Sequence, residues 1–266
     1  MNMKKRLIYQ VYLGKKSKLY DFCTASVKDY CNRHGIDYVM QTEPKLKIRP
    51  DMNRTNRNKT GLLKEMGYLP IFEKENAFAY LGEYDQVAIV DSDIYIRKET
   101  PNIFDDLPEE YDFGGVLERS GPINGAHKSK IRGYSRDMFQ NMQDVKFNWN
   151  GDGADFMNMG MMVLNKSINK YLEGQTPEEF IRRKEFLDFV DGIGLYKFST
   201  DQVLLNYWLK KCGAKVKHMD WQWNALYRAI KDDQIKNAHF VHFFLKQQIR
   251  PGNGENLDVV KKALGV

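Results

Sequence analysis

Cysteine is scarce in this sequence, and the few cysteines do not suit cross-linking or metal binding. The 266 residues include three cysteines, Cys23, Cys31 and Cys212, and no Cys-x-x-Cys pair. An odd number of cysteines without paired spacing argues against a disulfide framework and against a thiolate zinc site. This usage is typical of a protein from a reducing compartment, and we expect a cytoplasmic one.

Long apolar runs are missing as well. No stretch approaches the roughly 20 apolar residues that a membrane-spanning helix requires. The basic segment 1–6 is followed by a short apolar run that contains Tyr9, Gln10 and Tyr12, which favours a first strand over a signal peptide. We therefore expect a soluble chain without a signal peptide or a transmembrane segment.

The chain also lacks a strong excess of either charge. Lys and Arg number 41 against 35 Asp and Glu, for a net charge of +6. This mild positive charge suits an anionic ligand such as a nucleotide and does not require nucleic acid. The sequence shows no helix-turn-helix, RNA-binding or zinc pattern. Nucleic-acid binding through the basic loop 43–59 is therefore kept as an alternative function.

What the sequence does have is an apolar strand that ends in two acids. Residues 87–90 run into Asp91-Ser92-Asp93, and a β-rich run resumes at Ile94–Ile96. A short apolar run rich in β-branched residues is typical of a central strand covered on both faces. Side chains alternate along a strand, so we expect Asp91 and Asp93 to project to the same side. Two carboxylates can hold a hard divalent cation, although an acidic turn after a strand gives the same pattern.

Strands and helices alternate along the rest of the chain. A strand, a helix and a strand are predicted at Leu7–Leu13, Ser17–His34 and Ile36–Met40, which is a βαβ start. Periodicity predicts later strands at 111–117, in the second half of 156–165, at 214–219 and at 238–244, and helices at 135–142, 176–190, 199–211 and 256–264. The alternation predicts an α/β fold, with a mixed, mostly parallel central sheet and helices on both faces. In such sheets ligands bind beyond the carboxyl ends of the strands.

A capping pattern marks the start of the helix predicted at 199–211. Ser199 and Gln202 have the Ser-x-x-Gln spacing of a capping box. Asp201 falls in the first turn, where an acid complements the helix dipole whatever else it does.

Four segments resemble GT-A glycosyltransferases, and in particular the family that includes glycogenin and the bacterial lipopolysaccharide galactosyltransferases. Residues 84–93 look like the metal-site strand of that fold, and residues 156–165 are similar to the family's Phe-Asn-Ser-Gly-Val-Met-Leu-like strand. The other two segments are Asp201-Gln202 with Leu204, Leu205 and Asn206, similar to an Asp-Gln-x-x-Leu-Asn helix start, and Val241-His242 with Lys246, similar to a late His followed by Lys. The resemblance implies one Rossmann-like GT-A domain over 1–266, with a nucleotide-binding half, 1–117, and an acceptor-side half, 118–266.

The resemblance implies a metal-dependent hexosyltransferase. Asp91, Asp93 and His242 would bind Mn²⁺, with Mg²⁺ as the alternative, and carboxylate plus imidazole suits Mn²⁺ better than Ca²⁺. The ion would grip the diphosphate of a nucleotide-sugar donor, with a UDP-sugar expected, and the acceptor would be a glycan or glycoconjugate. His239 competes for the ligand role because it lies on the same predicted strand.

The resemblance also implies a set of donor-binding residues. Base and ribose would lie at the end of the first strand, and two lysines would face the phosphates. The family's His-x-x-Gly-x-x-Lys-Pro-Trp is not intact here, since Lys246 follows His242 without the Gly or the Trp. The donor-binding candidates are Gln10, Val11, Tyr12, Lys74, Ser92, Asp152, Asn158, Gly160 and Lys246.

Three residues are candidates for the reacting centre. The family's Asp-Gln pair lies beside the anomeric carbon, which implies this place for Asp201 and Gln202. Asp155 is the second choice, after Asp201, for the carboxylate that would act as the catalytic base. In an inverting enzyme Asp201 would deprotonate the acceptor hydroxyl. In a retaining enzyme Asp201 and Gln202 would flank the sugar and stabilise positive charge. The sequence leaves both outcomes open.

Two further functions belong to the same fold class. A nucleotidyltransferase would carry a Gly-rich loop with a basic residue after the first strand, and Gly14-Lys15-Lys16 is too poor in glycine for that. A transferase that glycosylates modified DNA stays open, because variable loops determine the acceptor.

Overall fold

The computed structural model describes residues 4–57, 61–149, 151 and 153–266. The strands are β1 Arg6–Val11, β2 Asp37–Gln41, β3 Gln86–Val90, β4 Ile94–Ile96, β5 Phe113–Leu117, β6 Met157–Asn165, β7 Val216–His218, β8 Ala225–Leu226 and β9 Phe240–His242. The α-helices are α1 Lys18–His34, α2 Gly61–Met66, α3 Gly125–Phe139, α4 Pro177–Ile181, α5 Leu187–Asp191, α6 Asp201–Lys211 and α7 Leu257–Leu264. A 3₁₀ helix, Pro70–Gly82, leads toward β3. No helix in the described part of the chain is both long and apolar enough to cross a membrane.

Two sheets form the frame of the molecule. The six-stranded sheet has the order β2-β1-β3-β6-β5-β7. Its strands β1, β2 and β3 are parallel, β6 runs antiparallel to both of its neighbours, and β7 is parallel to β5. A three-stranded sheet has the order β4-β9-β8. This arrangement confirms the predicted α/β fold with a mixed central sheet.

The central sheet is covered on both faces. Leu7 and Tyr9 of β1 pack into one hydrophobic core, whereas Ile8 between them packs into another. The residues of β3 divide between the same two cores in the same alternating way. Because side chains alternate along a strand, a strand with a core on each side can have no polar face. This explains the unbroken apolar run before Asp91.

The segment that carries the two acids differs from the prediction. β3 ends at Val90, the chain turns at 91–93, and β4 begins at Ile94 in the other sheet. The turn, and not alternation along one strand, therefore places Asp91 and Asp93. β4 pairs with β9 so that Ile94 lies opposite His242. The same turn thus lies beside the imidazole.

Two helix bounds were also predicted wrongly. α3 begins at Gly125 and not near 135, because Asn124 caps it by accepting a hydrogen bond from the backbone N–H of His127. The helix predicted at 176–190 is split into α4 and α5. Residues 182–185, all charged, offer no apolar side chain to the core between Ile181 and Phe186.

Candidate active site

The turn after β3 and the end of β9 bring together the three predicted metal ligands. Asp91, Asp93 and His242 each offer a ligand atom, and these atoms lie within 4.8 Å of one another. The Nε2 atom of His242 is 3.3 Å from Asp93 Oδ1 and 3.9 Å from Asp91 Oδ2. The competing candidate His239 instead packs on Trp223, with ring centroids 4.7 Å apart. The geometry therefore favours His242 as the imidazole ligand.

A chain of amides orients the ring of His242. The backbone N–H of Gly160 donates to Oδ1 of Asn158 at 3.0 Å, so this atom must be the amide oxygen. Asn224 Nδ2 donates to the same oxygen at 2.9 Å, which turns Asn224 Oδ1 toward His242 Nδ1 at 3.0 Å. Nδ1 is then the protonated nitrogen of the neutral ring, and the lone pair on Nε2 points at the two carboxylates. This is the usual way in which a metal-binding histidine is oriented.

Gly160 makes room for this histidine. A Cβ atom at Gly160 would lie 2.2 Å from Cε1 and 2.6 Å from Nδ1 of His242. The Gly160 carbonyl also accepts a hydrogen bond from the backbone N–H of Asp91 at 2.7 Å. Gly160 and Asn158 were predicted to bind the donor, and the structure places both behind the cluster of Asp91, Asp93 and His242, where they support its side chains.

Lys74 joins the cluster to the start of α6. Its Nζ lies 3.0 Å from Asp91 Oδ1 and 2.9 Å from Asp201 Oδ2, and it donates to the Met159 carbonyl at 2.8 Å. Burial alone would lower the pKa of Lys74, but the carboxylates of Asp201 and Asp91 outweigh it and raise that pKa. Lys74 is therefore a buried ammonium ion shared by two carboxylates.

The two carboxylates of the turn have opposite pKa shifts. Burial raises the pKa of Asp91 against the attraction of Lys74. Burial also acts on Asp93, but His242 outweighs it and lowers the pKa of that carboxyl. For His242 itself, burial lowers the pKa and the charge of Asp93 more than reverses this, so the pKa is raised. The cluster thus favours the charged forms of Asp93 and His242, whereas burial favours the protonated form of Asp91.

A buried acid that the sequence reasoning missed, Glu118, holds the Gln202 side chain. Gln202 Nε2 donates to Glu118 Oε2, and Asn158 Nδ2 lies 3.3 Å from the same oxygen and 3.4 Å from Gln202 Oε1. His127 Nε2 lies 3.2 Å from the other oxygen, Oε1. Burial would raise the pKa of Glu118, but the bonds from His127 and Gln202 lower it. The position of Glu118 in the sequence could have identified it as a candidate, because it follows β5 directly, as Asp91 follows β3.

The cap of α6 lies one residue later than predicted. Thr200 is the N-cap, and its Oγ1 accepts a hydrogen bond from the backbone N–H of Gln202 at 3.2 Å. Ser199 is buried and donates instead to the Phe189 carbonyl at 2.7 Å. The predicted capping box between Ser199 and Gln202 is therefore wrong, and the Gln202 side chain is available to Glu118.

The structure does not bring Asp155 to this cluster. Asp155 pairs with Arg119 at 2.7 Å and lines a separate cavity beside Met157, Asn206 and His218. Asp152 lies outside the described residues. Asp201 therefore stays the better placed of the catalytic candidates.

A cleft of about 320 Å³ opens over the cluster. It is lined by Val11, Leu13, Tyr20, Pro70, Ile71, Lys74, Asp91, Ser92, Asp93 and Asp201. Tyr20 was not predicted as a site residue. Five of the donor and metal candidates line this cleft, namely Val11, Lys74, Asp91, Ser92 and Asp93. Gln10 lies below the surface and donates to the Asp91 carbonyl at 3.1 Å.

The two remaining donor candidates lie beside Tyr20. The Tyr12 and Tyr20 rings are in edge contact, with centroids 5.6 Å apart. Lys246 Nζ is 4.4 Å from the Tyr20 ring centroid and 3.6 Å from Glu255 Oε1. Both residues therefore adjoin a wall of the cleft, and their contact with a donor stays a prediction.

Known structures share this fold. The galactosyltransferase LgtC, solved in complex with donor and acceptor sugar analogs, matches with a TM-score of 0.54 and 16% identity over 97% of this chain and 95% of that one. An active-site mutant of LgtC matches with a TM-score of 0.50 and 12% identity over 96% and 95% of the two chains. A glycosyltransferase involved in the glycosylation of the major capsid of PBCV-1 has a TM-score of 0.49 and 12% identity over 98% and 100%. No protein-family model and no curated protein matches the chain. The LgtC matches confirm the predicted resemblance in fold to GT-A glycosyltransferases.

Proposed function

We propose that this chain is a metal-dependent glycosyltransferase that moves a sugar from a nucleotide sugar, with a UDP-sugar expected, to a hydroxyl group of a glycan or glycoconjugate. The observation that carries the proposal is the convergence of Asp91, Asp93 and His242 at the carboxyl end of β3. Ligands of open α/β sheets bind at such an edge. The fold that the chain shares with LgtC supports the same conclusion.

The residues fit a divalent ion. Two carboxylates and one imidazole suit Mn²⁺, and Mg²⁺ is the alternative. The amide chain from Gly160 to Asn224 aims the Nε2 lone pair of His242 at the carboxylates. A bound ion would supply Lewis-acid stabilisation of the nucleoside diphosphate as it departs.

The chain's own groups then divide the remaining work. Lys74 places a positive charge in the cleft beside the diphosphate position and fixes Asp201 at 2.9 Å. Glu118 fixes the amide of Gln202. In an inverting reaction Asp201 would accept the proton of the acceptor hydroxyl, and in a retaining one Asp201 and Gln202 would stabilise positive charge on the sugar. The anomer of the product, read by NMR, distinguishes the two.

The first test is metal dependence. We expect donor hydrolysis or transfer to stop in EDTA and to return with Mn²⁺, less fully with Mg²⁺. Asp93→Asn should lower the rate by about tenfold or more, because metal charge stabilisation is worth several kcal/mol. Asp29→Asn is the matched control, since Asp29 lies on α1 and pairs only with the exposed Arg33 among the described residues. Undiminished turnover in EDTA would refute the metal site.

Ligand binding tests the donor separately from the acceptor. UDP with Mn²⁺ should raise the melting temperature of the wild type by mass action, and it should not raise that of Asp93→Asn. If no nucleoside diphosphate shifts the melting temperature with metal present, the transferase proposal fails. Duplex DNA binding that weakens steeply with salt would instead favour the nucleic-acid alternative.

A further inference from the structure

The basic loop between β2 and α2 is fastened at its start to the core. The buried carboxylate of Glu73 accepts hydrogen bonds from three successive backbone N–H groups, those of residues 45–47, at 2.7, 3.1 and 2.6 Å. Leu46 and Ile48 pack into the core beside it. Because the backbone of this stretch is hydrogen-bonded to Glu73 and two of its side chains are buried, the start of the loop is anchored to the core.

Farther along, the loop crosses to the second half of the chain and binds α5. The backbone N–H of Asp51 donates to the Asp191 carboxylate at 2.7 Å, and Thr55 Oγ1 donates to the Asp191 carbonyl at 2.6 Å. Arg54 adds an ion pair with Asp188 at 2.8 Å. Thr55 and Asp191 are both buried. The loop therefore connects the first half of the chain, 1–117, to the end of α5.

Near the end of the loop, Arg57 reaches the segment that precedes α6. Its guanidinium is buried and donates from Nη2 to the Phe189 carbonyl at 2.7 Å, the Ser199 carbonyl at 2.6 Å and Ser199 Oγ at 2.7 Å. Ser199 is followed by the cap Thr200 and then by Asp201, the first residue of α6. Arg57 thus holds the chain two residues before the acid that pairs with Lys74.

We propose that Arg57 is a positioning residue for sugar transfer, which fixes the start of α6 through Ser199 and thereby sets where Asp201 and Gln202 lie in the cleft. The proposal rests on the proposed function for its catalytic part. A guanidinium is a planar group that stays charged and holds its donors in a rigid fork. Its Nη2 carries two N–H groups, so this one nitrogen can donate to the Phe189 and Ser199 carbonyls at once.

The surroundings leave Arg57 little freedom. A Cβ atom at Gly192 would lie 2.7 Å from Cγ of Arg57, so the arginine fills the space that this glycine leaves. Small displacements of Ser199 would affect the reaction rate, because misplacing a reacting group by about 1 Å can lower the rate about a hundredfold. A shift at Ser199 would be passed directly to Asp201, since only Thr200 separates them.

The test compares Arg57→Met with Arg97→Met. Arg97 is the matched control because its Nη2 also donates to a backbone carbonyl, that of Ile235 at 3.0 Å, and burial lowers its pKa as it lowers that of Arg57. Donor hydrolysis and UDP–Mn²⁺ affinity are measured well below the melting temperature of each variant. We expect Arg57→Met to lower kcat by about tenfold or more while the Kd for UDP–Mn²⁺ stays within about twofold. We expect Arg97→Met to change neither.

Two further measurements keep the outcome decisive. Arg57→Lys, which keeps the charge and loses the fork, serves if the Met variant does not fold, and it should lower kcat in the same direction. Hydrogen exchange of the amides in the first turn of α6 needs no substrate, and it should accelerate in Arg57→Met but not in Arg97→Met. Unchanged exchange there, or wild-type kcat in a folded Arg57 variant, would overturn the proposal. If the wild type neither binds UDP nor hydrolyses a donor, the proposed function fails while exchange still tests the hold on α6.

Discussion

At Gly160 the absence of a side chain determines where a histidine can lie. The ring of His242 occupies the space that a Cβ atom would take, and the amide chain from Asn158 through Asn224 fixes the ring's orientation. The resemblance to a known motif pointed to Gly160 as a site residue. Its steric role could not be predicted, because β6 and β9 share no local pattern that says they meet.

We therefore expect Gly160→Ala to weaken Mn²⁺ binding by about tenfold or more, as changes behind a metal ligand commonly do. The added methyl group would push the imidazole away from Asp93. Calorimetric titration with Mn²⁺ measures the effect. Gly82→Ala is the control, since a Cβ atom at Gly82 would meet nothing within 4 Å. Equal affinities in the two variants would contradict the steric argument.

Among the elements, Asp112 fastens three segments at the start of β5. Its carboxylate accepts hydrogen bonds from Ser167 Oγ at 2.7 Å, Lys170 Nζ at 2.9 Å and the backbone N–H of Lys215 at 2.9 Å. Asp112 thereby connects two segments, the one after β6 and the one before β7, to the start of β5. Burial would raise the pKa of Asp112, but the bonds from Ser167 and Lys170 lower it.

This lowered pKa gives a stability that depends on pH. A carboxyl group whose pKa is lower in the folded state stabilises the protein above its unfolded pKa, about 3.9 for Asp, and loses that contribution as the pH falls through the folded value. We expect the wild type to lose more unfolding free energy than Asp112→Asn as the pH is lowered below about 5. Urea denaturation at several pH values measures this. Parallel pH profiles for the two proteins would show that Asp112 does not titrate differently on folding.

The elements also show what local pattern can and cannot predict. The bounds of α1 and of the apolar strand before Asp91 were predicted closely, because their apolar patterns are strong and match the residues that each element buries. α3 was misplaced because glycine and polar residues weaken its periodicity, and its cap at Asn124 is fixed by a distant loop as well, through the Ala229 carbonyl. The end of β3 at Val90 was not predicted, because apolar residues lie on both sides of the two acids. The residues before the acids belong to one sheet and those after them to the other.

On the scale of the whole molecule, the site is assembled across the two halves of the chain. The convergence of Asp91, Asp93 and His242 could be predicted, since these residues lie in recognisable motifs. The partnership of Lys74 with Asp201 and of Glu118 with Gln202 could not, because each pair joins segments with no common local signal. Lys74 stands at the centre of this junction, between one carboxylate from each half.

Removing the ammonium group of Lys74 should destabilise the folded protein. We expect Lys74→Met to lower the unfolding free energy by about 3–5 kcal/mol, since it leaves the buried carboxylate of Asp201 without its partner. Mn²⁺ should reduce the deficit by neutralising Asp91. Lys15→Met is the control, because Lys15 is 94% exposed in its side chain and its loss should fall within about 0.5 kcal/mol. A Lys74 variant as stable as the control would contradict this ion-pair argument.

The pairing of β4 with β9 is short, and its alignment has a consequence for folding fidelity. β9 has three residues, and Ile94 lies opposite His242, the last of them. A slip of one residue would turn His242 to the other face of the sheet and present the apolar Val241 or Phe243 in its place. Such a molecule would lack the imidazole beside Asp91 and Asp93. If the proposed metal site is correct, the number of Mn²⁺ ions bound per chain would count the molecules with the correct register, which a melting curve does not measure.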